Sequence, residues 1–306
     1  MMEYKKAASR LGWGMAAFFL TAQVAQVLLI SIVALIFPAL VTRISATLLI
    51  TDIGIYGIGL PVLMLICKGV PNADPQTPKQ QKPVTPVLIL KTLCMGFAAM
   101  YVANFIYLGI MTVFSNVSGY SLNQNVLEGV VGQSSLWEDI LVFCVIPPIL
   151  EELVFRKYLY KKIGAYGDNV FIFVSGLCFG LFHGNLNQFF YATLLGFLLA
   201  WLYVTTGNVV WGMLVHMIIN IVGGIVAPAI LGNDILLTLF GVFVLAVMIT
   251  GIVCFIRGKR RGEFAVNPER KAEKGWVKNT LLNVGMMAYI LLFIVLSILI
   301  LAMPNL

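Results

Sequence analysis

The chain has very few charged residues for its length. Only 11% of its 306 residues are Asp, Glu, Lys or Arg, whereas 60% are hydrophobic. A soluble domain carries about 25% charged residues, so this composition excludes a soluble globular protein. The sequence instead predicts an all-α fold, a polytopic transmembrane helical bundle of about eight or nine helices.

Paired cysteines, a common zinc-protease motif and internal repeats are also missing. The five cysteines are scattered through apolar segments without a CxxC pair, so we interpret them as small packing residues rather than disulfides or metal ligands. No HExxH helix occurs. The chain also lacks the two similar halves that many transporters show, which disfavours a transporter.

Apolar segments long enough to cross a bilayer run through most of the sequence, because a spanning helix needs about 20 mostly apolar residues. The fourth, fifth and sixth of these segments are shorter or are interrupted by polar residues. The segments are 12–37, 45–67, 87–114, 136–162, 168–185, 188–205, 208–230, 235–256 and 279–302.

Basic residues are concentrated in a few stretches between these segments. With the N-terminus on the cytoplasmic side, the basic clusters all fall on that side, and the external loops keep only Arg43. The stretch 115–135 contains no Lys or Arg. This distribution explains the net charge of +7, so we expect contact with the lipid bilayer and no nucleic-acid partner. The basic start followed by the long apolar stretch 11–37 indicates a retained first helix rather than a cleaved signal peptide.

Two polar linkers divide the chain, one of them Pro-rich and the other basic. We expect the Pro-rich linker to be a flexible connector. Most of the unusual polar residues lie between the two linkers. The expected parts are 1–68, a two-helix N-terminal addition; 69–86, the Pro-rich cytoplasmic linker; 87–256, the core; 257–278, a basic cytoplasmic loop; and 279–306, a C-terminal transmembrane helix.

Two adjacent glutamates, Glu151 and Glu152, stand at the end of an apolar run. Ionisable residues inside a membrane are costly, so they are candidates for function. Glu152 and Arg156 have the i,i+4 spacing of a helical ion pair. Glu151 points about 100° away around the helix and needs a partner on another helix. Pro147 and Pro148 lie one turn upstream and are expected to kink the helix beside the carboxylates.

The chain has two histidines, and both lie within apolar segments. His183 follows Phe179 by one helical turn, so the two side chains share a face. The same stretch contains Gly176, Gly180 and Gly184, a ridge of small residues that lets a neighbouring helix approach closely. We expect this close packing to hold His183 against a partner, although packing alone would also explain the ridge.

His216 is followed four residues later by Asn220, so these side chains also share a helix face. Both can donate hydrogen bonds into one cavity and stabilise a developing oxyanion. Alternatively, they form an interhelical hydrogen-bonded pair that only holds helices together. Counted from the cytoplasmic helix ends, Glu151, the two histidines and Asn220 lie about 14–22 Å deep. We therefore expect them to converge near the membrane midplane.

These side chains together could hydrolyse an amide. Glu151 can act as a general base towards water, and His183 can orient or deprotonate that water. His216 and Asn220 can hold the carbonyl oxygen of a peptide bond. Ser175 lies a turn or more from the first histidine and is not expected to be a nucleophile. Zinc is the rival explanation, because two His and one or two Glu could bind that metal.

Three short motifs occur in order inside these segments. They are Glu-Glu-Leu-Val-Phe-Arg at 151–156, Phe-Gly-Leu-Phe-His at 179–183 and His-Met-Ile-Ile-Asn at 216–220. With them, the chain resembles the CAAX-protease and bacteriocin-processing (CPBP, Abi) family of intramembrane endopeptidases. The match covers about 145–222, and we expect the protease core to extend over 87–256.

The resemblance implies a glutamate-dependent endopeptidase that needs no cofactor and acts on a peptide or membrane-protein substrate. The first glutamate would be the base, paired with the first histidine. The second histidine and the asparagine would form the oxyanion site. The resemblance also implies an integral protein of a bacterial cell membrane. The matching positions are Glu151, His183, His216 and Asn220 as catalytic residues, and Glu152, Arg156 and Phe179 as supporting residues.

Three alternatives remain open at the level of sequence. The same residues could form a zinc metalloprotease, since the family was first labelled in that way. The chain could be a non-enzymatic immunity protein that binds a bacteriocin or its receptor. It could also be a transporter, which Asp52 in the second apolar segment supports slightly. We expect Asp52 to face the bundle interior and to hydrogen-bond a neighbour.

Overall fold

The computed structural model describes residues 2–118, 135–266 and 272–302 of the chain, and these ranges are mostly helical and contain no strand. The long helix of the fourth apolar segment combines α and π turns. The helices are α1 (Tyr4–Ile36), α2 (Ile44–Gly69), α3 (Pro86–Ser118), α4 (136–163), α5 (Asp168–Phe182), α6 (Leu186–Thr206), α7 (Val209–Ala229), α8 (Asp234–Arg260), α9 (Trp276–Leu281) and α10 (Val284–Ala302).

Within the described residues, seven helices are long and apolar enough to cross a membrane: α1, α2, α3, α6, α7, α8 and α10. The predicted polytopic helical bundle is therefore confirmed. Two of the predicted segments do not meet this criterion. Helix α5 has only 15 residues, and α4 is divided into short α and π stretches. Three other ranges named from the sequence lie partly outside the described residues. They are the stretch without Lys or Arg, 115–135, the basic loop, 257–278, and the C-terminal part, 279–306.

Helix α6 lies at the centre of the bundle and packs along both α3 and α5, while α8 packs on α3. The contact between α5 and α6 depends on glycine. A Cβ atom on Gly176 or Gly180 would come within 2.1 Å and 1.9 Å, respectively, of side chains on α6. The close approach predicted from these two glycines is confirmed. Gly184 follows the end of α5 with a φ of +70° and takes no part in this contact.

The N-terminal hairpin of α1 and α2 shares its core with α5. The Phe18 ring stacks on the Phe182 ring at 4.5 Å between centroids. A Cβ on Gly54 of α2 would lie 2.9 Å from the backbone nitrogen of Gln26. Helix α10 packs on α1 and contacts α5 as well. The helices predicted as N- and C-terminal additions therefore pack into the same core as the middle of the chain. The predicted domain bounds stay a prediction.

The Pro-rich linker 69–86 lies against the ends of α4 and α6. The Lys162 ammonium donates a hydrogen bond to Asn72 Oδ1 at 2.9 Å. The Gln81 backbone N–H donates to the Thr205 carbonyl at 2.9 Å. The linker thus forms specific hydrogen bonds to α4 and α6, which the prediction of a flexible connector did not include.

Candidate active site

Helix α4 is interrupted by prolines in the middle of the bundle. It takes π-helical turns at Ile140–Val145 and again at Leu153–Tyr158. Pro147 and Pro148 have no N–H, so the Phe143 carbonyl lacks both the i+4 donor of an α-helix and the i+5 donor of a π-helix. The predicted disturbance of the helix at the prolines is therefore present, and it leaves one backbone carbonyl in need of a donor.

Asn220 supplies that donor from α7. Its Nδ2 amide donates a hydrogen bond to the Phe143 carbonyl at 3.2 Å. A buried carbonyl without a donor is costly, so this contact stabilises the proline interruption and ties α7 to α4. The amide has two N–H groups, and the second remains available for another acceptor.

Glu152 and Arg156 form the ion pair that their spacing predicts. Glu152 Oε2 lies 3.1 Å from Arg156 Nε, and both side chains are fully buried. The two groups are not aligned as a hydrogen bond, and the Arg156 Nη atoms have no hydrogen-bond partner among the described residues. Gly212 of α7 makes room for the pair, because a Cβ there would lie 2.8 Å from Glu152 Oε2.

His216 lies between the two glutamates. Its Nδ1 atom is 3.2 Å from Glu152 Oε1, and its Nε2 atom is 3.6 Å from Glu151 Oε2. An ionised carboxylate only accepts hydrogen bonds, so Nδ1 carries the proton on the Glu152 side. Nε2 is then an acceptor in the neutral ring and a second donor in the imidazolium. The imidazole of α7 therefore links both carboxylates of α4.

Phe179 is the common neighbour of the cationic and imidazole groups. Its ring centroid is 4.7 Å from the Arg156 guanidinium carbon, 4.9 Å from the His183 ring and 5.7 Å from the His216 ring. A cation over an aromatic face is favourable, and more so away from water. The ring thus supports the Arg156 guanidinium, whose Nη atoms lack hydrogen bonds.

His183 is fixed by its own helix. Its Nδ1 atom lies 2.8 Å from the Phe179 carbonyl oxygen. Because a carbonyl only accepts, Nδ1 is the protonated nitrogen and Nε2 keeps its lone pair in the neutral ring. His183 can therefore accept a proton at Nε2. Both residues are described, and no hydrogen bond or ion pair joins His183 directly to Glu151.

The structure brings the predicted site residues into one region between α4, α5 and α7. Glu151 contacts His216 directly, whereas Asn220 bonds to the proline interruption. The catalytic roles themselves stay predictions. The Ser175 hydroxyl is buried and donates to the Phe155 carbonyl at 2.7 Å, which is a packing role.

Sequence reasoning missed three features of this region. Gly212 lies one turn before His216 and could have been found by asking which small residue faces the glutamates. The acceptor role of the Phe143 carbonyl follows from the two prolines only when the π turn is known. Asp52 was expected to hydrogen-bond a neighbour, but its Oδ2 atom is buried without a hydrogen-bond partner in the part of the chain that the structure describes.

A zinc ion would need three or four converging His, Cys, Asp or Glu ligands. Over residues 2–118, 135–266 and 272–302, no group of three such side chains has that arrangement. Both nitrogens of His216 already face carboxylates. That the reaction needs no metal stays a prediction.

The fold and the site define a polytopic membrane protein with a buried cluster of acid–base groups. Residues 133–222 match the family described as Type II CAAX prenyl endopeptidase Rce1-like. This match contains all three motifs, so the resemblance read from them is confirmed. The segment 133–222 is thus similar to this family over less than a third of the chain.

Two curated relatives also match. The "Putative membrane peptidase YdiL" of Bacillus subtilis (strain 168) is 32% identical over 84 residues, which are 26% of this chain and 34% of that protein. The "UPF0177 protein YxdF" of Lactococcus lactis subsp. lactis (strain IL1403) is 27% identical over 99 residues, which are 32% of this chain and 55% of that protein. The matches thus span about a third and about half of these relatives. No solved structure matches the chain.

Proposed function

We propose that the chain is an intramembrane, glutamate-dependent endopeptidase that hydrolyses a peptide bond of a membrane-associated protein or peptide. The observation that carries this proposal is the position of His216 between Glu151 and Glu152, inside the segment that matches a family of endopeptidases. The name of the Bacillus subtilis relative, a membrane peptidase, agrees with it.

Glu151 is the general base in this proposal because it is the more open of the two glutamates. Its side chain keeps 16% exposure, whereas Glu152 is fully buried and occupied by Arg156. A water molecule beside Glu151 can lose its proton to the carboxylate as the oxygen attacks the peptide carbonyl carbon. His183 offers the lone pair of Nε2 as a second acceptor that orients this water.

The oxyanion that forms on the peptide carbonyl needs donors. His216 can donate from Nε2 as an imidazolium, whose Nδ1–H is then directed to the Glu152 carboxylate. The second N–H of Asn220 is the other donor. When the tetrahedral intermediate collapses, the C–N bond breaks, and Glu151 returns its proton to the leaving amine. The products are a carboxylic acid and an amine, and Glu151 is again a carboxylate.

The surroundings of the enzyme are part of the proposal. We infer a bacterial cell membrane, because both curated relatives are bacterial proteins. We also infer a cytoplasmic N-terminus, because the basic clusters would then lie on the cytoplasmic side. The zinc metalloprotease and the non-enzymatic immunity protein are the competing functions, and one experiment separates all three.

The experiment measures cleavage of a peptide library by the purified full chain in detergent. Glu151→Gln should lower kcat/KM by at least about a hundredfold, since a positioned general base contributes about 10²–10⁴-fold. Glu3→Gln is the matched control, because Glu3 is an exposed acid at the start of α1. Cleavage that survives Glu151→Gln would overturn the role of this carboxylate.

Two further arms test the alternatives. Loss of cleavage on chelation and its recovery with zinc would favour the metalloprotease. An absence of cleavage, with protection against a bacteriocin that persists in Glu151→Gln and His183→Ala, would favour the immunity protein.

A further inference from the structure

The N-terminal hairpin packs against the end of α5 beside the candidate site, although it lies outside the segment 133–222 that matches the family. The Phe18 ring of α1 stacks on Phe182, the residue before His183. The Phe19 ring lies against Gly184, the residue after His183, where a Cβ would be 2.8 Å from the ring. The hairpin therefore contacts the chain on both sides of His183.

Helix α2 changes its winding beside the site. It is α-helical over Ile44–Asp52 and π-helical over Ile53–Gly59. The α-helical part contacts the π turn Ile140–Val145 of α4, which precedes the two prolines. Single π turns within α-helices occur frequently at functional sites. The change of winding places Asp52 at the junction, at the end of the part of α2 that contacts Ile140–Val145.

Asp52 has no cationic partner in the described residues. None of the ion pairs there includes it, and its Oδ2 atom is buried without a hydrogen bond. The part of α2 that ends at Asp52 contacts the π turn Ile140–Val145, where Asn220 bonds to the Phe143 carbonyl. Helix α2 itself contains no Lys, Arg or His before Lys68. One oxygen of the Asp52 carboxylate is therefore buried without a donor in the described residues.

Acidic side chains outnumber Lys and Arg side chains among the site residues described above. Glu151 and Glu152 lie on α4, Asp52 lies on the part of α2 that contacts α4, and the guanidinium of Arg156 is held by Glu152 at 3.1 Å. A carboxylate in a low-dielectric interior is stabilised by a cation or by hydrogen-bond donors. His216 can supply a second positive charge, but its ring nitrogens face the two glutamates. A positive group from outside the described chain would complete the set.

We propose that Asp52 is a specificity-determining residue that binds a positively charged side chain of the substrate, a lysine or arginine close to the scissile bond. This inference rests on the proposed endopeptidase function. In it, the hairpin contributes the recognition group, while α4, α5 and α7 contribute the groups that act on the peptide bond.

Helix geometry indicates which substrate position Asp52 reaches. The ends of α2 and α4 meet where the Lys162 ammonium donates to the Val70 carbonyl at 3.0 Å. Measured from these ends, Tyr56 and Glu151 lie at similar heights, about 18 and 17 Å, and Asp52 lies about one turn, or 5–6 Å, farther. An extended peptide advances about 3.3 Å per residue. The basic side chain is therefore expected one or two residues from the cleaved bond.

The test uses the purified full chain in detergent and sets of peptides that differ only by lysine or norleucine at one position near the cleaved bond. We expect the wild type to prefer lysine by at least about tenfold in kcat/KM at one position. Asp52→Asn should reduce this ratio to near one and leave the norleucine peptide within about threefold of wild type. Asp52→Glu should retain part of the preference. Asp234→Asn, which removes an exposed acid from α8, is the control.

The outcomes separate this inference from the proposed function. An equal loss for lysine and norleucine peptides in Asp52→Asn, or the absence of any lysine preference in the wild type, overturns the role of Asp52 in recognition. If no peptide is cleaved, the proposed endopeptidase function is wrong. The role of Asp52 in recognition is then tested by peptide binding. A lysine peptide should then bind the Glu151→Gln protein at least about tenfold more tightly than its norleucine partner. Equal binding of the two peptides overturns the inference.

Discussion

Helices α4 and α8 are both long apolar helices of the same bundle, yet they differ in almost every other respect. Helix α8 runs without interruption over Asp234–Arg260, and only 6% of its most apolar window is buried. Helix α4 alternates α and π turns and contains the fully buried Arg156. Hydropathy and length identify α8 as a candidate span and do not identify α4 or α5. The helices that contain the first two motifs are therefore those that a hydropathy criterion finds least easily.

The physical reason is a difference in surroundings. A helix that faces lipid needs only apolar side chains of sufficient length, so its individual residues are exchangeable. A helix that contains buried ionisable groups depends on particular partners, because each unpaired charge is costly in a low-dielectric interior. Substitutions should thus have large effects on α4 and its partners and small effects on α8.

The largest effect on stability is expected for Arg156→Met. Glu152 would then be a buried carboxylate without its cation, and breaking a buried pair in this way costs about 3–5 kcal/mol. Thermal unfolding in detergent measures this loss. The double variant Glu152→Gln with Arg156→Met should recover part of the stability, since no buried charge is then left unpaired. A single variant as stable as the wild type would contradict the interpretation of the pair as a necessary unit.

Gly212→Ala should have the next largest effect. The new Cβ would lie 2.8 Å from Glu152 Oε2, so the carboxylate must move away from His216 or α7 must shift. Overpacking of this kind costs about 1–3 kcal/mol. Unfolding and peptide cleavage should both be impaired. Gly223→Ala is the matched control in the same helix, because a Cβ there meets nothing within 4 Å. Equal behaviour of the two variants would show that α7 does not depend on close contact with Glu152.

Asn220→Ala should destabilise the chain by about 1–2 kcal/mol, because the Phe143 carbonyl loses its donor. The variant also tests whether Asn220 acts only in structure. Pro147→Ala restores an N–H at the i+4 position, which can satisfy the same carbonyl. The double variant should regain stability but not cleavage if Asn220 also holds the oxyanion. Recovery of both stability and cleavage would limit Asn220 to its structural contact.

Leu245→Ala on α8 should have the smallest effect. Its side chain is 52% exposed on the outer face of the bundle. Exposed substitutions away from buried networks usually change the free energy of unfolding by less than about 0.5 kcal/mol. Thermal unfolding and peptide cleavage should both match the wild type. A loss comparable to that of Gly212→Ala would show that α8 depends on particular side chains.

Much of the fold and part of the site could be predicted from the sequence. Low charge and long apolar runs predicted the helical bundle, and the glycine spacing predicted that a neighbouring helix approaches Gly176 and Gly180 closely. The structure identifies this helix as α6. The contacts of His216 with both glutamates could not be predicted in detail. Spacing within a helix shows which face a side chain is on, but it does not show which nitrogen meets which carboxylate across two helices.

The sequence by itself determined the neighbours within each helix. Glu152 meets Arg156, and Phe179 meets His183, because helix geometry brings residues four positions apart onto one face. Only the tertiary structure decided the contacts between helices, such as the bond from Asn220 to the Phe143 carbonyl. It also decided that the N-terminal hairpin lies beside the site. Such contacts depend on how separate helices pack, and this packing depends on the shapes of whole surfaces rather than on the spacing within any one helix.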